Sequence, residues 1–198
     1  DSCTADHIIC RGDASAGNEN QRECVMLYDR KTKWLSGVPT KSKSAKEAYR
    51  AIAKFAGAEK IKRMHTDGSK ELAKAVEDHK IPVHTTSPPG IPQSNGLAET
   101  MVRVEVEGTR CELSQAGLPP SFWPQGIEHL CFARNIQIID GDSAYNRRHK
   151  KGHFLEVHPK AKIIPFGAGV NFQPVPALQK DTNFPKFGDR AIPGVFLG

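Results

Sequence analysis

The sequence predicts an α/β fold: a mixed five-stranded sheet flanked by helices, followed by a small β unit. Three observations predict it. Three short apolar runs lie between Thr4 and Val38, joined by connections too short for crossover helices. Helical and strand-like segments then alternate from Ser44 to Thr85. Two long helical segments follow, Leu97 to Gln115 and Ser121 to about Asn135. Short connections imply antiparallel pairing and strand–helix–strand alternation implies parallel pairing, so one sheet carries both.

The elements follow in order. Thr4 to Cys10 (TADHIIC) is apolar-rich and strand-like, and Arg11 to Arg22 is polar with turn residues. Cys24 to Tyr28 (CVMLY) reads as a buried strand, Asp29 to Thr32 as a turn, and Trp34 to Val38 as a third strand. Ser44 to Phe55 has apolar residues at helical spacing, with Ser44 as N-cap and Gly57 as the stop. Lys60 to Thr66 is a strand, Ser69 to His79 a short helix and Ile81 to Thr85 a further strand. Gly117-Leu118-Pro119-Pro120 separates the two long helices. From Asp140 the chain turns Pro- and Gly-rich, and KIIPFGAGVNFQPV and AIPGVFLG read as strands. The expected organisation is a core at 1–140, a basic connector at 141–152 and a small β unit at 153–198.

Composition narrows the function classes. Hydrophobic residues make up 38% of the 198 and charged residues 25%, which fits a soluble globular chain. No apolar run approaches a membrane span, and no leader-like pattern opens the sequence. The chain starts at Asp1 and stops in a strand-like run, as expected of a piece of a longer polypeptide. Five scattered cysteines without a C-x-x-C pair argue against a disulfide framework and a Cys-based zinc site, and point to a reduced intracellular setting. The net charge is +6. Residues 141–198 hold 9 Lys and Arg against 4 Asp and Glu, so most of the excess lies there. A nearly neutral body with a basic end suits an anionic partner such as nucleic acid.

Three carboxylates are placed for metal-assisted phosphodiester chemistry. Asp6 sits inside the first strand, Asp67 at the end of a strand just before Gly68, and Glu99 in the first turns of a long helix. Two-metal sites require converging carboxylates on rigid elements, and ligands collect at such strand ends. Each residue also has a plainer use. Asp67 can cap the following helix, Glu99 suits a helix dipole, and Asp6 can belong to a frayed end. Asp13 is a weaker alternative to Asp6.

The stretches HTDGSKEL, TTSPPGIPQSNGLAETMVR, LSQAGLPPSFW and ARN resemble the catalytic core of retroviral-type integrases, closest to the copia-type LTR retrotransposon branch. TADHII, LYDRKTKWL and KFGDRAIPGVFLG extend the resemblance over nearly the whole chain. It implies a ribonuclease-H-like fold, an SH3-like β unit after the core and a D…D…E metal site formed by Asp6, Asp67 and Glu99. It further implies a two-ion Mg2+ (or Mn2+) cofactor and DNA, both element ends and target, as the partner. The implied activity is 3′-end processing and strand transfer by an integrase with endonuclease activity. It also implies a homo-oligomer from a longer polyprotein, working in the nucleus or a virus-like particle. The sequence departs from the pattern at Ser69, Thr100 and Val102, and in a shortened interval between Asp67 and Glu99. A nuclease on the same fold and a non-catalytic nucleic-acid-binding module are the alternatives.

Other residues suit DNA contact. At 100° per residue, Arg103 and Arg110 fall within about 40° of Glu99, suited either to DNA phosphates or to pairing with Glu107 and Glu99 on a solvated face, while Leu97, Met101, Val104, Gly108 and Cys111 form a separate packing stripe. Gln93, Ser94 and Asn95 offer neutral hydrogen-bonding groups in a Pro- and Gly-rich loop, expected to order when metal and DNA arrive. Arg147, Arg148, Lys150 and Lys151 form a basic patch suited to phosphates. His149 and His153 have a metal-like spacing, but a phosphate-contacting role for this segment is favoured.

Overall fold

A computed structural model describes residues 2–88, 95–173 and 191–198. Its centre is a five-stranded mixed sheet in the order β3-β2-β1-β4-β5. The strands are β1 (Ser2–Ile9), β2 (Glu23–Asp29), β3 (Leu35–Thr40), β4 (Arg63–Thr66) and β5 (Val83–Thr86). β1 pairs antiparallel with β2, and β2 with β3. β1 and β4, and β4 and β5, pair parallel. The predicted α/β class and mixed sheet are therefore present, in an arrangement compatible with a ribonuclease-H-like fold. β2 is the hub, with all seven residues buried.

Helices cover both faces. α1 (Ala45–Ala56) and α2 (Lys70–Asp78) fill the gaps between the parallel strands. Ser44 caps α1 by accepting from Glu47 N, and Ser69 caps α2 by accepting from Leu72 N. Such caps contribute about 1 kcal/mol each. Gly57 ends α1 at φ 58°. Ala48, Ala51, Ile52 and Phe55 of α1 join Leu72, Ala75 and Val76 of α2 over Cys3, Ala5, Val25 and Leu27. On the opposite face lie α3 (Gly96–Ala116) and α4 (Trp123–Ile136). Gly117, at φ 65°, closes α3 in the left-handed region. Ala98 and Cys131 pack there with Met26, Tyr28 and Leu35.

Two expectations are corrected. The predicted stripe on α3 holds only in part: Leu97, Met101 and Val104 pack against the core and Gly108 lies close to Leu130, but the most deeply buried residues are Ala98, Glu105, Thr109 and Leu113, and Cys111 is exposed. α3 meets the sheet on one side and α4 on another, so its buried face is not a single stripe. The segment expected to be connector and β unit is partly helical. A two-residue pairing of β6 (Ile138–Ile139) with β7 (Asp142–Ser143) leads into α5 (Ala144–His149), capped by Ser143, and then α6 (Phe154–Val157), held by a His153–Glu156 capping box. These caps lie in a basic run whose charge pattern hid them. Further on, β8 (Gly169–Phe172) and β9 (Ile192–Val195) form an antiparallel pair. Phe166 and Phe196 set that pair against His129 of α4. The described residues do not make up an SH3-like barrel.

Candidate active site

The register of the parallel strands brings the first two carboxylates together. Ala5 pairs with Thr66, so the next residues, Asp6 and Asp67, emerge side by side where β4 ends. Strands in a sheet lie roughly 4.8 Å apart. Asp6 is not frayed: its neighbours pair with β2 on one side and β4 on the other. Asp67 does not cap α2, because Ser69 does. Its Oδ1 instead accepts from Ser69 N at 3.1 Å, fixing the turn after β4. Glu99 is exposed in the first turn of α3, which packs across β1.

Burial and neighbouring charges both act on Asp6. The Asp6 carboxyl is held above its ordinary range, first by burial and then by the negative charges of Asp67 and Glu99. Two hydrogen bonds work against that rise. His7 N donates to Oδ1 at 2.7 Å, and Asn95 Nδ2 donates to Oδ2 at 2.9 Å. Asn95 stands at the start of α3 but makes no side-chain cap, and its buried Oδ1 has no partner among the described residues. Sequence reasoning placed Asn95 toward DNA. Its contact to Asp6 joins positions 89 residues apart, and no local signal announces it.

An open groove runs along this edge. Asp6, Glu99, Arg103 and Arg110 line it together, with Val102, Val106 and Glu107. The helical spacing that put both arginines beside Glu99 is therefore realised. Both are exposed, and neither forms an ion pair among the described residues. Gln93 and Ser94, with most of the loop expected to order on binding, lie outside the described residues.

The basic patch divides. Lys150 and Lys151 are exposed. Arg147 Nε lies 3.5 Å from Asp142 Oδ2 and also donates to Ser143 O. Arg148 turns inward. Its guanidinium donates to Phe55 O and Ala56 O at the end of α1, and lies over the rings of Trp34 and Phe55 at 4.9 and 5.2 Å. The expectation of a phosphate contact at Arg148 gives way to a structural one. Of the histidine pair, His153 is engaged with Ser143 Oγ and His149 packs against Trp34 and Tyr145.

The donor set suits a hard divalent cation. Asp6, Asp67 and Glu99 offer only oxygens, and the repulsion that lifts Asp6 is what a cation would cancel. Among the described residues, no three His, Cys, Asp or Glu side chains are gathered to hold a metal ion. The three carboxylates fit in charge and chemistry, with Asp6 tied by protein donors instead.

Asp6 on β1, Asp67 just after β4 and Glu99 on α3 thus lie toward one edge of an α/β core, with Arg103 and Arg110 on the same groove. The homologues of this chain are Pol polyproteins of copia-type retrotransposons. It is similar to the retrovirus-related Pol polyprotein from transposon TNT 1-94 of Nicotiana tabacum, 28% identical over 77% of this chain and 11% of that protein. It is likewise similar to the Pol polyprotein from transposon RE2 of Arabidopsis thaliana, 30% identical over 59% of this chain and 8% of that one. The chain thus spans about a tenth of the relatives it matches. No family model matches it. Among the described residues no helix is long and apolar enough to cross a membrane.

Proposed function

We propose that this chain is the catalytic core region of a retrotransposon integrase, acting in the processing of 3′ DNA ends and their transfer into target DNA. One observation carries the reading: Asp6 and Glu99 line one groove with Arg103 and Arg110, and Asp67 follows Thr66, the β4 partner of Ala5. Each side chain has a task. The arginines hold DNA phosphates along the groove. Asn95 fixes the orientation of Asp6 through Nδ2. Mg2+ or Mn2+ ions, held by Asp6, Asp67 and Glu99, would supply polarisation of the phosphate and activation of the attacking oxygen. No covalent intermediate with the protein is needed, so no Ser, Tyr or Cys nucleophile is invoked. The partner is DNA, and the protein works as part of a longer polyprotein and as a homo-oligomer.

A second reading is favoured by a separate observation. Both Asp6 oxygens are already engaged by protein donors, as suits a core that binds nucleic acid without cutting it. A strand-transfer assay separates the two. Purified chain, Mg2+ and DNA carrying the element's end sequence are incubated, and cut and joined products are resolved. Joined product that falls at least a hundredfold in Asp67→Asn and Glu99→Gln supports the transferase. Cut DNA without joined product identifies a nuclease. Binding without either product identifies the non-catalytic module.

A further inference from the structure

A second groove, of about 390 Å³, opens beside the carboxylates, between the end of β1 and the facing sides of α3 and α4. It falls in the usual size range of small-ligand sites, roughly 300–1,000 Å³. It shares Val106 and Arg110 with the carboxylate groove, so the two adjoin. Its lining is mostly apolar, with Trp123 from α4 and Ile9 from β1, and Arg11 joins Arg110 there. Ile9 is 48% exposed although it ends a central strand. Trp123 is held in place by its Nε1, which donates to Ser15 O at 3.1 Å. Arg11 forms no ion pair among the described residues.

We infer that this groove receives an unpaired nucleobase at the end of the DNA strand whose phosphates lie in the carboxylate groove. The inference rests on the DNA-binding reading above. The occupant follows from complementarity and from the shared border with the carboxylate groove. A base has apolar faces that pack on an aromatic ring and aliphatic walls, and its phosphates carry the charge that arginines at the border meet. A blunt, fully stacked end has no base to offer. The groove therefore selects DNA ends with unpaired nucleotides over closed duplex.

Only two tryptophans are present, so Trp34→Phe leaves Trp123 as the sole indole reporter in the full chain. Trp123 emission is followed while duplex with a short 3′ overhang, or blunt duplex of equal length, is added. Anisotropy of the labelled DNA is read in parallel. The expected result is quenching by the overhang duplex and little by the blunt one. Trp123→Ala should weaken overhang binding about tenfold and leave blunt binding unchanged. Ile9→Ser, an exposed change on the opposite wall, should weaken it in the same direction, so the test survives if the tryptophan variant misfolds. Equal affinities for the two DNAs, with no quenching, would overturn the base site and leave the DNA-binding reading intact. Absence of binding by anisotropy would sink both. Emission that changes with protein concentration alone would assign the groove to a second copy of the chain and overturn the inference.

Discussion

Glu105 is the residue whose position most contradicts its chemistry. It is fully buried in α3, and burial pushes its carboxyl up to about 8. Cys131 Sγ of α4 donates to Oε1 at 3.4 Å, while Oε2 has no partner among the described residues. Gly37 of β3, whose N donates to Cys131 Sγ, packs close to Oε2. At neutral pH the side chain is protonated, which limits the cost of burying it. The sign of its pH effect follows from proton counts. Between the ordinary carboxyl value of 4.5 and about 8, the native state holds a proton that the unfolded chain has released. Stability therefore falls as pH rises through that window, the reverse of a salt-bridged carboxylate. Urea unfolding at pH 5 and pH 9 should show Glu105→Gln losing less stability across the interval than the parent, by on the order of a few kcal/mol. Equal slopes for both proteins would show that Glu105 is solvated.

At the scale of elements, Arg148 joins α5 to the end of α1 and to Trp34 in the turn before β3. Its guanidinium satisfies carbonyls at the end of α1 and stacks on Trp34 and Phe55, so its removal loses hydrogen bonds and packing together. Arg148→Ala should cost about 1–3 kcal/mol in chemical denaturation and leave DNA affinity near the parent's, and Arg148→Lys should recover little, because an ammonium lacks the planar fork. Selective loss of DNA affinity at unchanged stability would return Arg148 to the phosphate-binding set. The same residue shows where sequence reasoning stops. Composition identifies a basic run, but not which of its members finds a carbonyl more than ninety residues away. Elements specified by local signals were legible: Ser44 and Gly57 bounded α1, and Gly117 closed α3. Asp6, Asp67 and Glu99 stood out as candidates by residue type and place: inside a strand, just after a strand and at a helix start. The tie between Asn95 and Asp6 and the burial of Glu105 were not, since both depend on how α3 rotates against the sheet. Helical periodicity cannot fix that rotation when two faces are covered.

Over the whole molecule, charge sets opposing demands on a DNA ligand. The net charge of +6 favours binding, yet the candidate site presents three carboxylates at the edge where Arg103 and Arg110 would take phosphates. Unit charges about 4 Å apart repel by about 1 kcal/mol in water, and the effect fades over a Debye length of roughly 10 Å at 0.1 M salt. Without a divalent cation, then, the carboxylates should work against the arginines. In chelator at low salt, Glu99→Gln should tighten duplex binding by roughly two- to fivefold. With Mg2+ present the sign should reverse, because the variant loses a ligand for the ion that links protein to phosphate. Arg103→Gln and Arg110→Gln should each lower the slope of log affinity against log salt by about 0.9, since each contact releases counterions from the duplex. Anisotropy across a KCl series, with and without Mg2+, reads all of these at once. A Glu99→Gln effect of the same sign under both conditions would mean that cations do not enter the site with DNA, and would favour the non-catalytic reading over the transferase.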